Sequence, residues 1–166
     1  MQAGSDFPGA ATRFSVSARH FLHIVDNADQ VGPRALPEQL ARELSDLYRA
    51  ALQLPHQDTL SVTDTDLERW SDDTLWSRRY TLIGQQLGPL DTYWLIYNPQ
   101  ELNEPVAGSL ADDLADIARD LEYGLRVLDR QVSPEMALWA WSESFRSHWG
   151  KHLVHALVAI HALIIK

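Results

Sequence analysis

The chain has 166 residues with 45% apolar and 22% charged side chains, which fits one globular domain with a sizeable core and excludes a disordered chain. The net charge of −9 lies wholly in residues 56–130, where 15 acids face six Arg and no Lys; such a balance argues against a nucleic-acid binder, which needs clustered cations. Cysteine is absent, so there is no disulfide, thiol nucleophile or Cys-based zinc site, and a reducing, cytoplasmic setting is expected.

The opening residues 1–11, rich in Gly, Ala, Ser and Pro, carry neither a basic start nor an apolar run and are expected to form a flexible tail rather than a signal peptide. The domain then occupies 12–166. Its first helical stripe is Phe14, Ala18, Phe21, Leu22, Val25 and Ala28, broken at Val31-Gly32-Pro33. The second begins at Pro37 and Glu38, runs through Leu40, Leu44, Leu47, Tyr48 and Ala51, and closes at Pro55. Residues 56–70 read as an exposed acidic loop, and Ser71 as the cap of a third helix with Trp76, Tyr80, Ile83 and Leu87 on its stripe.

Tyr93 to Tyr97 (YWLIY) favours an extended conformation but lacks an obvious partner strand, so it is expected to pack across the bundle, with a loop over Pro99–Gly108. Ser109 caps a fourth helix along Leu110, Leu114, Ile117, Leu121, Leu125 and Leu128. Ser133-Pro134-Glu135 opens a last helix to the C-terminus along Leu138, Trp141, Phe145, Trp149, Ala156, Ile160 and Leu163, with Gly150 as its weak point or a place of close helix contact. The apolar run Leu153–Ile165 is too short to span a bilayer, where about 20 residues are needed, so no membrane association is expected. The fold expected is all-α: a single-domain bundle of about five helices with a short extended aromatic segment.

Two runs carry a family resemblance. Pro105 to Leu121 (PVAGSLADDLADIARDL) and Trp141 to His152 (WSESFRSHWGKH), followed by Ala156 to Leu163 (ALVAIHAL), resemble the signature of a bacterial domain-of-unknown-function family, number 5063. The aromatic segment ending Tyr97-Asn98-Pro99 fits as well, so the resemblance covers roughly residues 75–164. It implies a small helical domain and assigns no activity.

The sharpest candidate chemistry joins the last two helices. His148, His152 and His155 share one face of the last helix, and Asp113, Asp116 and Asp120 one face of the fourth. A short turn at Gln131-Val132 implies antiparallel packing that brings the two faces together, a donor set suited to zinc, manganese or iron. Against it stands a structural Asp–His pair, since His152 falls near the middle of the apolar stripe and a buried imidazole needs a partner. The helical signatures HExxH and ExxH are missing. Arg146 and His152 have the separation of an Arg-and-His ribonuclease motif, but Arg13/His20 and Arg49/His56 match it as well, and six residues on a continuous helix leave about 120° between side chains. GxSxG, a phosphate loop and a glycine fingerprint are absent.

The preferred reading is a non-enzymatic interaction module of inhibitor, immunity or regulatory type, needing no cofactor. It would bind a basic protein through the acidic loop residues Asp64, Asp66 and Glu68 and the aromatics Tyr93, Trp94 and Tyr97. The alternative is a metal-binding protein or metal-dependent hydrolase centred on the Asp and His faces. The sequence leaves enzyme against binding module, and the oligomeric state, open.

Overall fold

The computed structural model describes residues 6–55 and 73–165. Among the described residues seven α-helices fall in the order α1 (Phe7–Asp26), α2 (Ala28–Val31), α3 (Leu36–Ala51), α4 (Asp73–Leu87), α5 (Leu110–Asp129), α6 (Pro134–Ser144) and α7 (Gly150–Ile164). Between α4 and α5 lies an antiparallel hairpin of β1 (Thr92–Leu95) and β2 (Val106–Ser109). The expected helical bundle is borne out. The acidic loop and the Ser71 cap, with Asp64, Asp66 and Glu68, lie outside the described residues.

Several elements differ from expectation. The first helix starts at Phe7, not after residue 11, because the Asp6 side chain accepts the Gly9 N–H at 3.0 Å and Pro8 occupies the first turn, where it loses no hydrogen bond. Ala11, read as part of the tail, is fully buried. The same helix stops at Asp26, and Ala28 belongs to the one-turn α2. The aromatic run does have a partner strand: Tyr93 pairs with Gly108 and Leu95 with Val106. Val-Ala-Gly-Ser has little intrinsic strand preference, so the neighbouring aromatic strand and the adjoining helix hold it in place.

The last helix is not continuous. Phe145–Trp149 form a π turn between α6 and α7, and an added Cβ on Gly150 would stand 2.3 Å from the Phe145 carbonyl oxygen. The glycine therefore permits the wider turn. Its effect is rotational. Upstream, Leu138 and Trp141 face the core; downstream the buried positions include Trp149, Leu153, Ala156 and Ile160. A wheel drawn through Trp141 and Phe145 puts His152 at mid-stripe, but the extra residue in the π turn brings Leu153 inward and leaves His152 at the flank.

α5 is the central helix. It packs against α1, α4, α6 and α7, and Leu110, Leu114, Ile117 and Leu121 are fully buried. Its start is tied down twice: Ser109 Oγ accepts the Asp112 N–H at 3.2 Å, and the Asp91 side chain accepts from Ala111 N at 2.7 Å and Ser109 Oγ at 2.9 Å. Its end turns on Gln131, whose φ of 54° is left-handed, with Val132 N donating to Val127 O and Gln131 N to Leu128 O. That short turn sets α5 and α6 antiparallel and carries the chain on to α7, which meets α5 at its acidic face.

Among the described residues no helix is long and apolar enough to cross a membrane. A buried Arg79 ties α4 to two neighbours, with both its Nε and Nη2 on the Asp26 carboxylate and Nη1 on Glu122 at 3.0 Å. Phe14 packs on Trp141 and Trp149 in the core, with centroids 4.8 and 6.3 Å apart.

Candidate metal centre

α5 carries Asp113, Asp116 and Asp120 on the face that meets α7 and the π turn. His148 lies in that turn and His152 one helical turn later, with ring centroids 4.7 Å apart. Each imidazole is held through Nδ1: His148 by Asp120 Oδ2 at 2.8 Å, and His152 by Asp113 Oδ1 at 2.7 Å. A carboxylate accepts and does not donate, so each Nδ1 carries its ring's hydrogen, and in the neutral form each Nε2 keeps its lone pair.

Both Nε2 atoms face the same oxygen. Asp116 Oδ2 stands 3.8 Å from His148 Nε2 and 3.6 Å from His152 Nε2, beyond hydrogen-bond length. The other oxygen, Oδ1, is already taken by the Trp76 indole N–H at 2.9 Å and by Arg119 Nη2 at 2.7 Å. Asp116 is thus locked in one rotation, offering a single oxygen to two imidazole nitrogens. Among the described residues these three are the one group whose ligand atoms could surround a single ion, all within 4.8 Å of one another.

The electrostatics show a deficit of positive charge. The Asp112 carboxyl is pushed up by burial and by the neighbouring Asp116 and Asp113. His152 is raised, chiefly by its hydrogen bond to Asp113, with burial opposing. His155 is lowered by burial. A cation between Asp116 and the imidazoles would relieve the repulsion among these acids.

The six expected metal residues therefore divide. Asp116, His148 and His152 converge; Asp113 and Asp120 hold the imidazoles from behind; His155 stands apart from the group. His152, expected at the centre of the stripe, is only partly buried, its side chain 24% exposed. Of the expected partner-binding aromatics, Trp94 and Tyr97 are 72% and 60% exposed, and Lys151 Nζ sits 4.0 Å above the Tyr97 ring. Tyr93 instead turns inward and donates its hydroxyl to Asp113 Oδ2 at 2.5 Å. Its phenol is pushed far up, first by burial and then by Asp113, so it stays a donor. Sequence reasoning placed Trp76 in the core and passed over Arg119; an indole at the start of a stripe that would face an acidic helix was the available signal.

A family model described as a domain of unknown function (DUF5063) matches residues 5–166. This chain belongs to that family. The match reaches beyond the resembling segment of residues 75–164 to include α1 and α3. Protein BF1032 from Bacteroides fragilis, a solved crystal structure, is 21% identical with a TM-score of 0.76, over 90% of this chain and 89% of that one. At that identity the likeness bears on the fold of the DUF5063 chain alone. A comparison with curated proteins finds no match.

Proposed function

We propose that this protein binds one divalent transition-metal ion through Asp116 Oδ2, His148 Nε2 and His152 Nε2. The observation that carries the reading is the opposed arrangement of the two imidazoles: carboxylates on both Nδ1 atoms, and both Nε2 atoms facing one oxygen at a distance too long for a hydrogen bond. Ligating imidazoles almost always have their other nitrogen so held. Two ligands about 2.0–2.1 Å from a tetrahedral zinc lie roughly 3.3 Å apart, so the 3.6 and 3.8 Å gaps need a small contraction and the two Nε2 atoms, within 4.8 Å of each other, must draw together as well.

A purely structural Asp–His pairing accounts for the Nδ1 contacts and not for the convergence on Asp116. Two nitrogens and a single carboxylate oxygen favour zinc, iron or manganese over calcium or magnesium, which take mainly oxygen. Three protein ligands leave at least one position for water or a substrate group. The His148 side chain is 36% exposed, so solvent reaches the site. An ion there would supply Lewis acidity and a lowered pKa for bound water, the basis for a metal-dependent hydrolase.

Isothermal titration of chelator-treated protein with Zn²⁺, Mn²⁺ and Fe²⁺ tests this. One equivalent should bind, and Asp116→Asn, His148→Ala and His152→Ala should each lose most affinity while His155→Ala keeps it. Wild-type protein that binds none of the three ions sinks the reading.

A second reading, an interaction module for a basic protein, draws on one observation. Leu90, Trp94, Ile96, Tyr97, Leu102 and Val106 are all exposed on or beside the hairpin, and the charged side chains among residues 90–106 are all acidic. Its partner should be released by salt and by Trp94→Ala; a partner indifferent to both removes this reading.

A further inference from the structure

We infer that Tyr93 is a positioning residue for the metal centre, acting through Asp113 on His152. The inference rests on the metal-binding reading and adds to it a residue from outside the two site helices.

β1 alternates, so Thr92 and Trp94 face outward while Tyr93 and Leu95 turn towards the bundle. Directly across from Tyr93 is Gly108. A Cβ there would come within 2.7 Å of the Tyr93 ring, so only glycine lets the ring lie flat across β2 and carry its hydroxyl to α5. β2 runs without a break into α5, and Asp91 bridges the hairpin to the helix start through Ser109, Leu110 and Ala111. Ring and carboxylate are therefore fixed to the same short piece of backbone.

Asp113 is 5% exposed and uses both oxygens, one for the Tyr93 hydroxyl and one for His152 Nδ1. Held at both ends, it cannot rotate, and His152 keeps its hydrogen on Nδ1 and its Nε2 aimed at Asp116. Without the phenol, a buried carboxylate oxygen loses its donor and Asp113 is free to turn towards another one, loosening the imidazole.

The test compares wild type, Tyr93→Phe and, as a control at an exposed position of the same strand, Thr92→Ala. Two quantities are read: Zn²⁺ affinity, and the imidazole ¹⁵N shifts of His152 in metal-free protein, which report the tautomer. In wild type the Nδ1–H tautomer should dominate. Tyr93→Phe should mix the tautomers and weaken Zn²⁺ by roughly 10-fold, as loss of such outer partners typically does. Thr92→Ala should change neither. Unchanged ¹⁵N shifts in Tyr93→Phe overturn the inference even if affinity falls, because the loss then comes from general disruption. Changed shifts with unchanged affinity overturn it too, since the positioning then serves no ion. If wild type binds no Zn²⁺, the metal reading fails, and the shifts alone decide whether Tyr93 positions His152.

Discussion

His152 takes up a proton more readily than a free imidazole, chiefly because Asp113 accepts from its Nδ1. Asp112 and Asp116 on α5 favour the proton too; burial opposes it, and the cationic side chain of Lys151 and the rings of His148 and His155 lie on its own segment. A group whose pKa is raised on folding contributes stability that is complete below its unfolded value, about 6.5, and is lost as pH rises through the raised value. In metal-free protein the stability gap between wild type and Asp113→Asn should therefore be widest near pH 5–6 and narrow above neutrality. Urea melts across that range give the gap directly, and one that stays constant contradicts the assignment. Metal requires the unprotonated Nε2, so affinity should fall over the same acidic range.

Arg79 makes a different point at this scale. It is 3% exposed, yet in the sequence it is half of the one adjacent basic pair and looks like a surface cation. Its spacing from Trp76 and Ile83 nevertheless puts it on the apolar stripe of α4. Arg79→Ala leaves Asp26 without its guanidinium, while Glu122 keeps Arg126 Nη2 at 3.6 Å. Removing one partner of a fully buried pair costs about 3–5 kcal/mol, but Asp26 rehydrates readily, so a loss of about 2 kcal/mol is expected in chemical denaturation. A wild-type midpoint for this variant would falsify the structural role.

At the scale of elements, periodicity revealed the long helices because most of their stability comes from burying one face. Leu40, Leu44 and Leu47, and Leu110, Leu114 and Leu121, are buried as their spacing requires. What periodicity missed depends on tertiary contact. β2 is held by β1 and α5 rather than by its own residues, and the π turn at Phe145–Trp149 changes the helical phase with no more trace than Gly150. The site was half legible for the same reason. The Asp and His faces followed from spacing on each side of the turn, whereas the central place given to His152 assumed one unbroken helix. Gly150→Ala tests the turn: its Cβ would press on the Phe145 carbonyl, so the variant should lose about 1–3 kcal/mol by urea denaturation, as overpacking does. Wild-type stability would mean that the turn does not need glycine.

For the molecule as a whole, four elements meet at one face of α5: α4 through Trp76, β1 through Tyr93, the π turn through His148 and α7 through His152. An ion bound there links parts of the chain far apart in sequence, and it should stabilise the folded state by mass action. At a hundredfold excess over Kd the gain is about 2.7 kcal/mol, equivalent to a rise of roughly 5–10 °C in Tm for a chain of this length. The rise should vanish in Asp116→Asn, and a Tm that ignores zinc in wild type argues against a resident ion.

The most direct measurement is an anomalous difference map from crystals of the zinc-loaded protein, recorded at the zinc absorption edge. The account predicts one strong peak between Asp116 Oδ2, His148 Nε2 and His152 Nε2, about 2.0–2.2 Å from each. No peak there, or a peak held by other residues, would contradict it.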